Sequence, residues 1–309
     1  MITIRSLKKS YGRIEALKGI DLDIRSGECF GLIGPNGAGK TTTIKVLATL
    51  VKPDAGVALL DGRDVVEHPD ETRRRVGFMP DIFQSYGDMT IVHYLDYFAA
   101  LVGLSGKRRL RKVSQVLELT DLTPKRDELV GGLSRGNKQR LCLAKTLLHN
   151  PDVLLLDEPA SGLDPRARIE IRLLLKELKL IGKTIVISSH ILEDLQEICD
   201  RVAIYEAGRI VHCGRVDELV AAVKQGARLR IQTRGPAAPA SELLSALPEV
   251  VRVELLTDSE LLVSLQAEGA DNTPVLRALL DGGVGLEGFR ADRPALADVF
   301  LDLTRGEVS

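Results

Sequence analysis

Through the first two thirds of the chain, short apolar runs alternate with stretches of helical spacing. Cys29-Phe30-Gly31-Leu32-Ile33, Val153-Leu154-Leu155-Leu156 and Thr184-Ile185-Val186-Ile187 are continuous runs. Runs of this kind suit strands covered on both faces, as in a parallel sheet. Between them, Leu141, Ala144, Leu147 and Leu148, and then Ile171, Leu174, Leu175 and Leu178, recur three and four residues apart. That spacing lines one face of a helix. Strands and helices in alternation predict an α/β fold. The opening residues differ. Ile2, Ile4, Leu22 and Ile24 alternate with polar positions, as in an antiparallel edge with one face in water.

The pattern changes near Gln225-Gly226. Short alternating strands are expected over 228–233, 250–256 and 260–266, and helices over 241–247 and 273–280. A Gly-Pro-Ala-Ala-Pro-Ala stretch at 235–240 reads as a loop. Lys224 is the last lysine, and from Gly226 onward eight Arg face thirteen acidic residues. Pattern and charge together predict two domains, 1–224 and a small α+β domain at 225–309.

Composition narrows the class. With 44% hydrophobic and 28% charged residues in 309, the chain can bury a sizeable core and is neither disordered nor a disulfide scaffold. The longest stretch without Asp, Glu, Lys or Arg is the eleven residues from Cys29 to Gly39. A membrane-spanning helix needs about 20 apolar residues, so none is expected, and Met1-Ile-Thr-Ile-Arg opens no apolar leader. A net charge of −1, short basic clusters at Arg73-Arg74-Arg75 and Lys107-Arg108-Arg109, and no Trp give no reason to expect a nucleic-acid partner. Cys29, Cys142, Cys199 and Cys213 lie far apart with no C-x-x-C pair, and read as small buried residues of a reducing compartment.

Two motifs carry chemistry. Gly34-Pro35-Asn36-Gly37-Ala38-Gly39-Lys40-Thr41 fits G-x-x-x-x-G-K-[ST] between a strand and a helix. Such a loop turns backbone N–H groups onto phosphate, its lysine neutralises the β/γ oxygens and its hydroxyl can hold Mg²⁺. The helix that follows adds its N-terminal dipole. The second motif is Asp157-Glu158 at the end of the 153–156 run. Ligands bind at the carboxyl ends of strands in α/β sheets. Strand alternation would point these carboxylates apart, which suggests separate roles: Asp157 in a Mg²⁺ shell and Glu158 as general base for an attacking water.

Further residues say which kind of nucleotidase this is. Leu133-Ser134-Arg135-Gly136-Asn137-Lys138-Gln139-Arg140 ends 17 residues before Asp157 and puts Ser and Gly at a helix start. Taken with the other motifs, it resembles the signature sequence of the ATP-binding cassette (ABC) family. Tyr11, 29 residues before Lys40, resembles the aromatic that stacks on adenine. Ser161-Gly162-Leu163-Asp164 resembles the D-loop, and Ser188-Ser189-His190 the switch histidine. The resemblance covers residues 1 to about 220. It implies a mixed-sheet core, an antiparallel β subdomain and a helical subdomain at about 81–150. ATP and Mg²⁺ would lie between two head-to-tail subunits. Each ATP would meet Tyr11, Gly34 to Thr42, Asp157, Glu158 and His190 of one chain and Ser134 and Gly136 of the other. The ending Ala297-Asp298-Val299-Phe300-Leu301-Asp302-Leu303-Thr304 resembles that of bacterial drug-exporter ATP-binding subunits.

Two positions depart from the family pattern: Arg135 replaces the first signature glycine, and Asp81 replaces a glutamine after Val76-Gly77-Phe78-Met79-Pro80. Asp81 is expected to act through Mg²⁺ or its water, withdrawn when the metal is absent, a plain cap on the following turn being the other reading. The resemblance implies an exporter ATPase, cytoplasmic and peripheral on the inner face of the cell membrane, with a separate permease as partner. Asp81 to Leu104, with Tyr94, Tyr97, Phe98 and Leu101, is the candidate surface for that permease, core packing of a helical subdomain being the other reading. The alternatives are a soluble ABC ATPase of an assembly system, as in iron–sulfur cluster biogenesis, and a non-catalytic nucleotide-binding module, which intact Lys40, Asp157, Glu158 and His190 disfavour.

Overall fold

The computed structural model describes residues 1–82, 86–222, 228–265 and 272–292. Backbone contacts divide the chain into two compact units, one built from Met1–Val216 and one beginning at Asp217.

In the first unit β1 (Ile2–Tyr11) and β2 (Ile14–Ile24) form a hairpin, with Ile2 opposite Ile24 and Ile4 opposite Leu22. The apolar alternation at the start of the chain thus sets the register. β3 (Cys29–Ile33) leads through the glycine-rich loop into α1 (Lys40–Leu47). Then come β4 (Ala55–Leu60), β5 (Arg63–Asp64), α2 (Pro69–Arg75) and β6 (Val76–Met79). Next are α3 (Ile91–Leu101), α4 (Gly106–Leu119) and α5 (Arg135–Thr146), which pack on one another. The chain returns through β7 (Val153–Asp157), α6 (Pro165–Leu180), β8 (Thr184–Ser189), α7 (Leu192–Gln196), β9 (Arg201–Glu206) and β10 (Arg209–Arg215). α8 (Val216–Ala222) begins at the unit boundary.

Two sheets result. One is antiparallel, in the order β2-β1-β4-β5; the other is mixed, in the order β10-β9-β3-β8-β7-β6, with only β10 antiparallel to its neighbour. β3, β7 and β8 are buried at every residue, as their unbroken apolar runs require. One core holds Ile2, Ile4 and Leu22 of the first sheet, Phe30, Leu155 and Val186 of the second, and Ile44 and Val46 of α1. The glycine-rich loop therefore hangs from this core, to which its own Ala38 belongs.

The second unit runs β11 (Arg228–Thr233), α9 (Ala238–Ser245), β12 (Val250–Thr257), β13 (Glu260–Leu265), α10 (Thr273–Asp281) and β14 (Leu286–Asp292). Its antiparallel sheet has the order β12-β13-β11-β14, the split β-α-β arrangement of ferredoxin-like folds. Leu229 and Ile231 of β11 and Leu261, Val263 and Leu265 of β13 share a core with Ala240 and Leu244 of α9 and Val275 and Leu279 of α10.

Three sequence expectations change here. α9 starts inside the stretch read as a loop, because Pro239 sits in its first turn, where a missing N–H costs nothing. Cys29, Cys142 and Cys199 are buried but Cys213 is exposed, since β10 is an edge strand with alternating burial. The aromatic stripe on α3 divides: Tyr94 is fully buried, whereas Tyr97 and Leu101 are exposed. Residues 297–304 and Gln266 lie outside the described residues.

Candidate nucleotide site

Packing dictates two glycines of the loop before any ligand is considered. A Cβ on Gly34 would run into the carbonyl oxygen of Tyr205 on β9. At Gly39 the backbone is left-handed, φ 109°, and a Cβ would lie 2.7 Å from the Ala16 carbonyl oxygen on β2. The loop is thus pressed onto both sheets where side chains cannot fit. Gly39 is also the N-cap of α1, which has no side-chain cap and no acid in its first turn. A helix start of this kind favours an anion.

The loop borders a cleft of about 400 Å³ lined by Asn36 to Thr42, Lys45, Phe78, Pro80, Asp81, Ile82, Asp157 and Glu158. Lys40 is buried and donates to the carbonyl oxygens of Gly34 (2.6 Å) and Pro35 (3.1 Å). Burial pushes its pKa down, while Glu158 and then Asp157 pull it back up. Its Nζ lies 3.8 Å from Glu158 Oε1.

The two adjacent acids are held differently. Asp157 is the last residue of β7, and its Oδ1 accepts from Thr41 Oγ1 (2.9 Å) and Ser188 Oγ (2.7 Å). Glu158 lies beyond the strand in a left-handed conformation, φ 50°, an unusual state for a non-glycine residue. Strand alternation therefore stops at Asp157, and both acids face the same cleft rather than opposite sides of the sheet. Ser188 Oγ also accepts from the Glu158 backbone N–H (3.0 Å), so one hydroxyl fixes both acids. Glu158 Oε2 lies 2.8 Å from His190 Nδ1, and Glu158 Oε1 is buried with no hydrogen-bond partner.

Lys40, Thr41, Asp81, Asp157 and Glu158 thus converge on one cleft, and His190 joins through Glu158. Tyr11 does not line it: it ends β1, exposed, with Lys9 Nζ 5.7 Å from its ring centroid. Nor do Ser134 and Gly136, which open α5, where Ser134 is the N-cap and accepts from Asn137 N–H (3.4 Å). Arg135 beside them lies over Gly162, whose missing Cβ leaves room for the guanidinium. Lys45, Phe78, Pro80 and Ile82 line the cleft, and Ser188 holds its two acids, without an assigned role in the sequence reading. Ser188, next to last in β8, stands opposite Asp157 in the parallel pair of β7 and β8, a juxtaposition no contiguous motif announces.

The donor set fits a nucleoside triphosphate with a hard cation. Thr41 and Asp157 offer the oxygen ligands Mg²⁺ prefers, and Glu158 Oε1 is an orphaned buried acceptor. Fold and site together define a P-loop nucleotidase.

The comparisons with known proteins narrow the class. The ABC transporter family model matches residues 17–161. Nod factor export ATP-binding protein I of Burkholderia orbicola is 39% identical, with 99% of this chain and 98% of that protein aligned. Daunorubicin resistance ATP-binding protein DrrA3 of Streptomyces coeruleorubidus is 35% identical over 98% of this chain and 95% of that protein. The dimeric post-hydrolysis structure of the ATP-binding cassette MJ0796, bound to ADP and Pi, matches with TM-score 0.64 and 27% identity, covering 70% of this chain and 99% of that one. The structure of cbiO1 from Clostridium perfringens matches with TM-score 0.66 and 29% identity, over 72% and 91%. The chain belongs to the ABC transporter ATP-binding family and is an ABC-type ATPase.

Proposed function

We propose that this chain is the ATP-hydrolysing subunit of an exporter, working as a dimer on a separate membrane permease at the inner face of the membrane. Relatives named for Nod factor export and daunorubicin resistance align along nearly its whole length, second unit included. No helix among the described residues is long and apolar enough to cross a membrane, so the pathway would belong to another polypeptide. Ile82 at the cleft and, beyond it in the sequence, Tyr86, Tyr97 and Leu101 are exposed, and Tyr86 and Tyr97 pack edge to face at 6.3 Å. These exposed side chains are the proposed seat for the permease.

The chemistry follows from the held acids. Thr41 and Asp157 would hold Mg²⁺, which when bound offsets charge on the phosphate oxygens, and Asp81 would reach it through the metal's water. Lys40 would exchange its loop carbonyls for phosphate oxygens. Glu158 Oε1 accepts the proton of the attacking water, and His190 keeps the carboxylate turned through Oε2. Tyr11 would stack on the base, and Ser134 and Gly136 of the partner subunit would close the far side.

The observation that carries this reading is the Glu158 carboxylate, with one oxygen tied to His190 and the other buried without a hydrogen-bond partner, 3.8 Å from Lys40 Nζ. Glu158→Gln is isosteric but cannot take the proton. It should leave ATP affinity within about twofold, lower kcat by about 10²–10⁴, and trap an ATP-dependent dimer visible by sedimentation. Single-turnover hydrolysis at the wild-type rate would remove Glu158 from the role.

A further inference from the structure

His190 lies on a short connection. β8 ends at Ser189 and α7 begins at Leu192, so the ring is placed by a strand on one side and a helix on the other. The turn between them is tied locally, Ser189 Oγ accepting from the Ile191 N–H at 2.9 Å. α7 has five residues and no side-chain cap. A helix that short does not hold itself, and its neighbours set its position. One neighbour is β3: a Cβ on Gly31 would lie 3.2 Å from Leu195 Cδ1, so Leu195 rests against the strand. The other is α6, through charge.

Asp194 of α7 is buried, its side chain 7% exposed, and its one ion-pair partner among the described residues is Arg172 of α6. Arg168, one turn earlier on α6, gives its Nε–H to the Leu163 carbonyl oxygen at 3.1 Å. The contact between Asp194 and Arg172 is not closed. Oδ1 stands 3.7 Å from Arg172 Nη1, and Oδ2 is buried with no hydrogen-bond partner. Arg172 Nε is likewise buried without an acceptor. The short bond of this guanidinium runs from Nη1 to Glu197 Oε1, at 2.7 Å. Glu197 is 52% exposed, where water screens an ion pair; Asp194 sits where the attraction is strong and an unpaired charge is costly. Burial pushes the Asp194 carboxyl above its ordinary range, and Arg172 and Arg168 pull it back. A charge-assisted bond is about 2.8 Å long, so about 1 Å of travel by α7 toward α6 completes the pair.

We infer that Asp194 is a positioning residue for His190: attracted to Arg172, it holds α7 on α6 and so keeps the imidazole against Glu158. Its effect on turnover rests on the roles proposed above for Glu158 and His190, whereas the placement of the ring does not. Asp194 lines no part of the nucleotide cleft, so its loss acts on turnover and not on binding.

Asp194→Asn keeps the shape and removes the charge, and Arg172 retains Glu197, so the variant should fold. In the full chain it should lower kcat for ATP hydrolysis about tenfold and leave KM within about twofold. Arg172→Gln should do the same, and Asp194→Glu, which keeps the charge, should recover most of the loss. The deciding comparison is with His190→Ala, in single turnovers with enzyme in excess. Acting through His190, Asp194→Asn should cost nothing further once the imidazole is gone. The ring resonances of His190 read the placement without turnover: they should move in Asp194→Asn and return in Asp194→Glu. A loss of the same size with and without the imidazole would make Asp194 a residue of general stability and overturn the inference. So would an unchanged kcat in Asp194→Asn beside a lowered one in His190→Ala, or His190 resonances that stay in place. Failure of the wider reading looks different: His190→Ala would then hydrolyse ATP at the wild-type rate. That result counts against the role proposed for His190, and the resonances alone then decide whether Asp194 places the ring.

Discussion

At the scale of single residues, the site turns on a serine. Ser188 is fully buried; it donates to Asp157 and accepts from the Glu158 N–H, tying the proposed metal ligand to the proposed base. Ser188→Ala would strand a buried N–H and remove one of two hydroxyl donors from Asp157 Oδ1. The expected cost is about 1–3 kcal/mol of stability, read from denaturant unfolding. Because Glu158 already sits at φ 50°, it should relax once the hydroxyl is gone. kcat should then fall about tenfold or more, with ATP affinity little changed. An unchanged kcat would mean that the left-handed turn holds Glu158 without help. Lys40, Asp157 and Glu158 were legible in the sequence because each sits in a contiguous motif. The role of Ser188 was not, since it arises only when β8 is laid beside β7.

At the scale of elements, the junction of α5, β6 and β7 is closed by His149, whose Nε2 donates to the Val76 carbonyl oxygen at 3.0 Å. Burial pushes the His149 pKa below its ordinary value. The bond to Val76 opposes that shift, and Lys112 and Lys183 add to it. The folded protein therefore prefers the neutral ring, while the unfolded chain protonates near pH 6.5. The stability this contributes is complete above about pH 6.5 and is lost as pH falls through the lower folded value. Unfolding free energy should drop between pH 7.5 and 5.5, and drop less in His149→Gln; equal slopes would remove His149 as a source. Elements with strong periodicity were legible: β3, β7 and β8 fall on the apolar runs, and β1 and β2 pair as their alternation requires. β14 was not, because Leu286-Glu-Gly-Phe-Arg-Ala-Asp has little alternation and owes its pairing to β11. α9 was started late because Pro239 reads as a breaker until its place in the first turn is known.

At the scale of the whole molecule, every residue lining the nucleotide cleft comes from positions 36–158, and the core beneath it ends at Ile210. The second unit has a core of its own, made of residues 229–289. Two cores without shared members should fold separately. A chain ending at Lys224 is therefore expected to unfold in one cooperative step and to bind a fluorescent ATP analogue within about twofold of the full protein. The dimer should behave differently. The truncated chain carrying Glu158→Gln should still dimerise with ATP, but dissociate faster if the second unit adds to what nucleotide closure supplies. A folded truncation that cannot bind the analogue would show that the nucleotide site depends on the second unit. Equal dissociation rates with and without residues 225–309 would show that the second unit adds nothing to the dimer, and would leave its service to the permease as the property to measure.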